Sequence, residues 1–225
     1  MYLSATASDY AYSNFGIANS VLSLIGISVD EKEHRAEVLP FFKEPRSVMV
    51  TASTSAKVKR LGLIAKVFRR LQDLGVIERW IHFGSDSASF FSSIGSNLEL
   101  NPGIECRGEL PNAEFRSQLR QIHHGIFLNL SESEGLPITI LEAAVARLPV
   151  VASEVGVVSD IVDKKTGLLI PKDASDLQIA LQVKDWLESG RIEAQTFELR
   201  NNVVRKYDSR EATTQWCRDI LNFHK

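Results

Sequence analysis

The chain has 225 residues, 44% of them hydrophobic and 24% charged, with a formal net charge of -2. That is enough chain to bury a sizeable core, and the composition is unlike that of disordered, collagen-like or coiled-coil proteins. The near-neutral balance leaves no basic surplus to displace counterions from phosphates, so a dedicated nucleic-acid binder is excluded. Cys106 and Cys217 are too few for a disulfide scaffold and lack zinc-ligand spacing, so they read as reduced thiols of a cytoplasmic protein with no metal centre. No apolar run reaches the roughly 18 residues of a spanning helix, and Met1-Tyr2-Leu3-Ser4 lacks the charged start of a signal peptide.

Residues 1–45 read as a lead-in and 46–225 as a domain. The lead-in could hold a helix over 10–25 and an extended apolar segment at Val38-Leu39-Pro40, but it is too short for a core of its own and is expected to lie on the body or on another chain. From residue 46 the pattern alternates. A β-branched strand at 47–51 leads into a helix over 57–74, whose apolar positions Val58, Leu61, Ile64, Ala65, Phe68 and Leu71 step by three and four. A strand at 79–84 precedes a Ser- and Gly-rich stretch to Pro102, read as a loop with one short helix. Next come a strand at 104–108, a helix over 113–124 and a fully apolar strand at 125–130. A helix over 137–147, a strand at 149–153, a short helix near 158–162 and a strand at 167–170 continue the beat. Helices over 175–189 and 210–223 close the chain. Alternation of this kind predicts βαβ units: an α/β, Rossmann-like parallel sheet with helices on both faces, followed by C-terminal helices. Ligands of such sheets bind beyond the carboxyl ends of the strands.

The informative stretch is Ser131-Glu132-Ser133-Glu134-Gly135-Leu136-Pro137-Ile138-Thr139-Ile140-Leu141-Glu142-Ala143-Ala144, directly after the apolar strand. Pro137 suits the first turn of a helix, leaving the N–H groups of Ile138 and Thr139 free at its positive end, a site suited to a diphosphate. A plain cap at Ser133 or Glu134 satisfies the same spacing. On one continuous helix Glu134 and Glu142 would stand about 12 Å apart along the axis. That is too far for the acid/base pair of a glycosidase. Binding of hydroxyls on either side of a diphosphate fits better, against the competing reading of Glu142 as a solvated helix residue. Residues 46–72 hold seven Lys/Arg and no Asp/Glu, and Lys57 and Lys59 follow the first strand where a basic group could reach phosphates. The alternative for both is a water-facing helix surface. His82 reads as packed in its strand, and Trp80, Trp186 and Trp216 show no stacking partners in sequence.

The series Glu134-Gly135-Leu136-Pro137, Leu141-Glu142-Ala143-Ala144, Leu148-Pro149-Val150-Val151-Ala152-Ser153 and Gly167-Leu168-Leu169-Ile170-Pro171 resembles the carboxyl-terminal donor-binding domain of the retaining group 1 (family 4) glycosyltransferases of the GT-B fold. The resemblance covers roughly residues 46–171. It implies that the chain is one half of a GT-B fold and binds a nucleoside-diphosphate sugar as donor substrate, with no cofactor. It further implies transfer of the sugar with retention to a saccharide or lipid-linked acceptor, in polysaccharide biosynthesis. Glu134 would contact the donor sugar as the catalytic residue, and Glu142 the ribose hydroxyls. Backbone N–H groups around Gly135, Leu136, Ile138 and Thr139 would hold the diphosphate, with Lys57 or Lys59 supplying charge. The Gly108-Glu109-Leu110 turn would meet the base.

The chain departs from the family pattern in several places. Ala52-Ser53 stand where a Gly-Arg pair would end the first strand, and Val58 falls at a lysine position with Lys57 and Lys59 beside it. Gly156-Val157 and Ser159-Asp160 replace a Gly-Gly and a Pro-Glu. The lead-in resembles the end of an amino-terminal domain, so a separate N-terminal half is an expected partner, and the isolated chain is expected not to transfer sugar alone. The expected location is cytoplasmic, with peripheral contact at the inner face of the membrane. The alternative is a non-catalytic GT-B-like subunit for assembly or regulation. A dinucleotide-dependent oxidoreductase is disfavoured, because Thr51-Ala52-Ser53-Thr54-Ser55-Ala56 contains no glycine.

Overall fold

The computed structural model describes Ile27, Val29, residues 48–95, 98, 99, 101–208, and Thr214. Six strands form one sheet: β1 (Val48–Ala52), β2 (Arg79–Phe83), β3 (Ile104–Cys106), β4 (Gly125–Asn129), β5 (Val150–Ser153) and β6 (Leu168–Ile170). The order is β3-β2-β1-β4-β5-β6, and every pairing is parallel. This is the doubly wound arrangement, in which the progression of strand order reverses between β1 and β4. The expected α/β, Rossmann-like sheet is therefore present, and its switch point lies between these two central strands.

Among the described residues, six helices cover the faces: α1 (Leu61–Asp73), α2 (Ser87–Ile94), α3 (Asn112–Arg120), α4 (Ile138–Val145), α5 (Asp176–Glu188) and α6 (Ile192–Tyr207). Alternate residues of each strand point to opposite sides. Met49, Trp80, Ile126, Leu128 and Val151 meet α1, α2 and α5 on one face. Val50, Ile81, Phe127, Val150 and Ala152 meet α3, α4 and α6 on the other. α1 buries Leu61, Ile64, Ala65, Val67, Phe68 and Leu71. Each of the large ones contributes roughly 1.5–3 kcal/mol on leaving water, so this stripe holds the helix more firmly than its intrinsic propensity does.

Three expectations are corrected. The helix over 57–74 is not continuous: Lys57–Lys59 form a 3-10 turn, and Arg60 takes a left-handed conformation (φ 54, ψ 38) before α1 begins. A helix absent from the sequence reading, α6, follows α5, and the two are joined where Trp186 Nε1 donates to the Gln195 side chain at 2.7 Å. Trp80 does have aromatic partners, Phe68 and Phe90, at centroid distances of 5.6 and 5.1 Å. Ile27, inside the lead-in, forms a parallel bridge with Asp208, and Ile27 and Val29 are buried in the core. The helix expected over 10–25, the extended segment at 38–40 and, apart from Thr214, the helix expected over 210–223 lie outside the described residues.

Candidate functional site

The loops leaving β1 and β4 meet beyond the carboxyl ends of those strands. A backbone bond from Glu132 N to Val58 O (2.8 Å) ties them together. Beside it, Lys59 Nζ donates to Glu134 Oε1 at 2.7 Å. Ser131 Oγ and Asn129 Nδ2 donate to the same oxygen at 2.6 and 3.1 Å, so three donors converge on Oε1, while Oε2 carries no hydrogen bond among the described residues. The Glu134 side chain is only 8% exposed. Burial pushes its carboxyl up, but the bonds from Lys59, Ser131 and Asn129, together with the Lys59 charge, outweigh that and hold it below the ordinary range. The result is an ionised, oriented carboxylate at the switch point with one oxygen open.

Glu134 precedes the helix, and Glu142 lies within it, so the two acids do not share a continuous helix. Pro137, the cap of α4, contributes no side-chain hydrogen bond to the helix start. With Pro137 at ψ 80, the chain turns sharply and the Ile138 amide donates back to Leu136 O at 2.9 Å. The expectation of a free Ile138 amide is thereby corrected. The amides of Gly135, Leu136 and Thr139 make no backbone hydrogen bond among the described residues. The helix start therefore remains a donor cluster, the expected set of amides without Ile138.

Glu142 is 4% exposed, on the side of α4 turned toward α3. Its Oε1 accepts from Nδ2 of Asn112. Burial raises its carboxyl above the usual value, only partly offset by the Asn112 bond and the charge of Arg116. Gly108 (φ 70) follows β3, and its carbonyl accepts from Gly84 N at 2.8 Å. Leu110 is half-buried against the core. Lys57, on the 3-10 turn beside Lys59, is exposed and lines a groove with Ser55, Arg60 and Glu132, so of the two lysines Lys59 alone reaches Glu134.

Sequence reasoning missed Asn129, Ser131 and Asn112. The first two had a signal, a polar pair closing an otherwise apolar strand at its carboxyl end. Asn112 had none, because its partner lies thirty residues away on another helix.

Against known proteins, residues 31–206 match the family model described as glycosyl transferases group 1. The putative teichuronic acid biosynthesis glycosyltransferase TuaC of Bacillus subtilis (strain 168) is 39% identical over 75 residues, covering 33% of this chain and 19% of that protein. A glycosyltransferase from Rickettsia africae ESF-5 superposes with a TM-score of 0.78 at 16% identity, over 99% of this chain and 62% of that one. Anabaena HepE, crystallised in complex with UDP, gives 0.73 at 15%, over 98% and 63%. TarM gives 0.72 at 16%, over 96% and 42%. The chain thus spans less than two thirds of each of these proteins. The parallel sheet is the one the sequence predicts, and the family match runs from the lead-in to the last turn of α6, so the chain belongs to the group 1 glycosyl transferases.

Proposed function

We propose that the chain is the donor-binding half of a retaining, family 4 hexosyltransferase, taking a nucleoside-diphosphate sugar and passing the sugar to a saccharide or lipid-linked acceptor. The observation that carries this is the Glu134 carboxylate, fixed by Lys59, Ser131 and Asn129 beside the open amides of Gly135, Leu136 and Thr139. Such a pairing suits a sugar joined to a diphosphate. The open Glu134 oxygen accepts from sugar hydroxyls, and the amides, with Lys59 close by, hold the phosphates. Charge grows on the diphosphate as its bond to the sugar breaks, and donors already fixed in place stabilise that charge without reorganising. Glu142, farther along α4, accepts from the ribose hydroxyls, and the 108–110 turn faces the base. The names of TuaC and of the UDP complex of HepE support a uridine nucleotide and a cell-surface polysaccharide.

The proposal includes an acceptor-binding half supplied outside these residues, in keeping with the 42–63% coverage of the matched structures. It also places the reaction in the cytoplasm, with peripheral contact at the inner face of the membrane. No helix among the described residues is long and apolar enough to cross a membrane. A non-catalytic subunit remains a second reading because Ala52-Ser53 supply no arginine at the end of β1.

Titration calorimetry with UDP, GDP and ADP tests the donor site. We expect one of them to bind, and Glu142→Ala to weaken it about tenfold, the usual scale for a lost hydrogen bond to a charged group. No heat from the wild-type chain at millimolar nucleotide would favour the subunit reading.

A further inference from the structure

Asn112 opens α3 directly after the 107–111 loop, and its side chain crosses to Glu142 on α4. One end of this contact is exposed and the other buried. Glu142 is nearly withdrawn from water, whereas Asn112 lies at the surface. Arg116, one turn further along α3, contributes charge to the same carboxyl. A carboxylate has about four acceptor positions, and the Asn112 amide engages Oε1 only, leaving Oε2 for a ligand. The residue type matters. An arginine reaching Glu142 in this way would clamp both oxygens and neutralise them. A neutral amide fixes the rotamer and leaves the full negative charge available to hydroxyl donors.

We propose that Asn112 is a positioning residue. It orients Glu142 to accept from the ribose hydroxyls, and it locks the 107–111 loop to α4 so that the base side and the ribose side of the nucleoside site move as one unit. The inference rests on the nucleotide-sugar reading above and adds to it a residue that contacts no phosphate and no transferred sugar.

The test titrates the full chain and Asn112→Ala with UDP, GDP and ADP and with the 2′,3′-dideoxy form of each. The wild type is expected to prefer the ribose form of whichever diphosphate binds. No binding, or equal binding of ribose and dideoxy forms, would sink the ribose reading itself. Asn112→Ala is expected to weaken the ribose form about tenfold and the dideoxy form less than twofold, narrowing the gap between them. Equal loss on both forms, or loss on neither, would overturn the positioning role while leaving the nucleotide reading intact. Asn112→Asp serves as an isosteric second variant in which a like charge replaces the donor. It is expected to lose more ribose discrimination than the alanine, and wild-type discrimination in it would equally overturn the proposal.

Discussion

Glu142 keeps a charge where its surroundings oppose one. Burial raises its carboxyl, so at neutral pH the folded chain holds an ionised group that would be better solvated in the unfolded chain. The sign follows directly. A carboxyl raised on folding favours the folded state at low pH, and that advantage is lost as pH rises through the folded value. Glu142→Gln removes the buried charge, keeps the shape, and still offers an oxygen to Asn112. At about pH 7.5 it should therefore stabilise the fold, and the gain should shrink as pH is lowered toward about 4 and the wild-type carboxyl takes up its proton. Melting temperatures of the two proteins across that range check this, and a glutamine variant no more stable at neutral pH would refute it. Glu134 differs, because its three donors favour ionisation; its stabilisation is present at neutral pH and lost as pH falls through its lowered value. Both acids were legible from their spacing and flanking residues. Their opposite electrostatics were not, because the donors come from Lys59, Asn129 and Asn112, which the fold brings in from other elements.

At the scale of elements, the loop carrying Glu134 is held from behind by the 3-10 turn Gly156–Asp160. Gly156 sits at φ +51, and a Cβ there would stand 2.2 Å from the Glu134 carbonyl oxygen. No side-chain rearrangement relieves a clash with backbone, so the 132–137 segment would have to move. Gly156→Ala should therefore cost about 2–4 kcal/mol, from the left-handed conformation and the displaced loop together. Nucleotide affinity should fall with it, because Glu134 shifts. Urea denaturation and titration of the same variant check both effects, and a midpoint within about 0.5 kcal/mol of wild type would contradict the interlock. The glycine stood out in sequence only as a departure from a Gly-Gly pair; that it faces Glu134 follows from tertiary structure. The break at Arg60 was hidden for a related reason. One left-handed residue re-aims the chain while the apolar spacing from Leu61 onward stays intact, so periodicity alone reads through it. The break separates Lys59, turned toward Glu134, from the stripe of α1 buried against the sheet.

For the whole molecule, the alternation of strands and helices predicted a parallel sheet, but its order could not be read along the chain. Placing β4 beside β1 depends on contacts between residues 48–50 and 125–127, which no local pattern encodes. That neighbourhood creates the switch point, and on the other side of β1 the sheet buries a polar cluster shared with β2. Thr51 Oγ1 accepts from Trp80 Nε1 at 2.8 Å and shares a hydrogen bond with His82 Nδ1, also at 2.8 Å. His82 Nε2 is buried without a hydrogen-bond partner among the described residues, and the ring stacks on Phe90 at 4.3 Å. Burial drives the His82 pKa down to about 4, against a smaller pull from the Ser53 backbone. A histidine depressed on folding stabilises the fold above its unfolded value of about 6.5, and that stabilisation is lost as pH falls toward 4. Between about pH 7.5 and pH 5 the loss should reach roughly 2 kcal/mol, before the carboxylates lowered on folding begin to protonate. His82→Asn keeps an acceptor facing Thr51 and removes the titrating ring, so it should lose less than half as much stability over the same interval, whatever its stability at neutral pH. Urea midpoints at the two pH values decide it: because both proteins share every other titrating group, parallel pH dependence would show that His82 takes no charge on unfolding and that the sheet's acid sensitivity arises elsewhere.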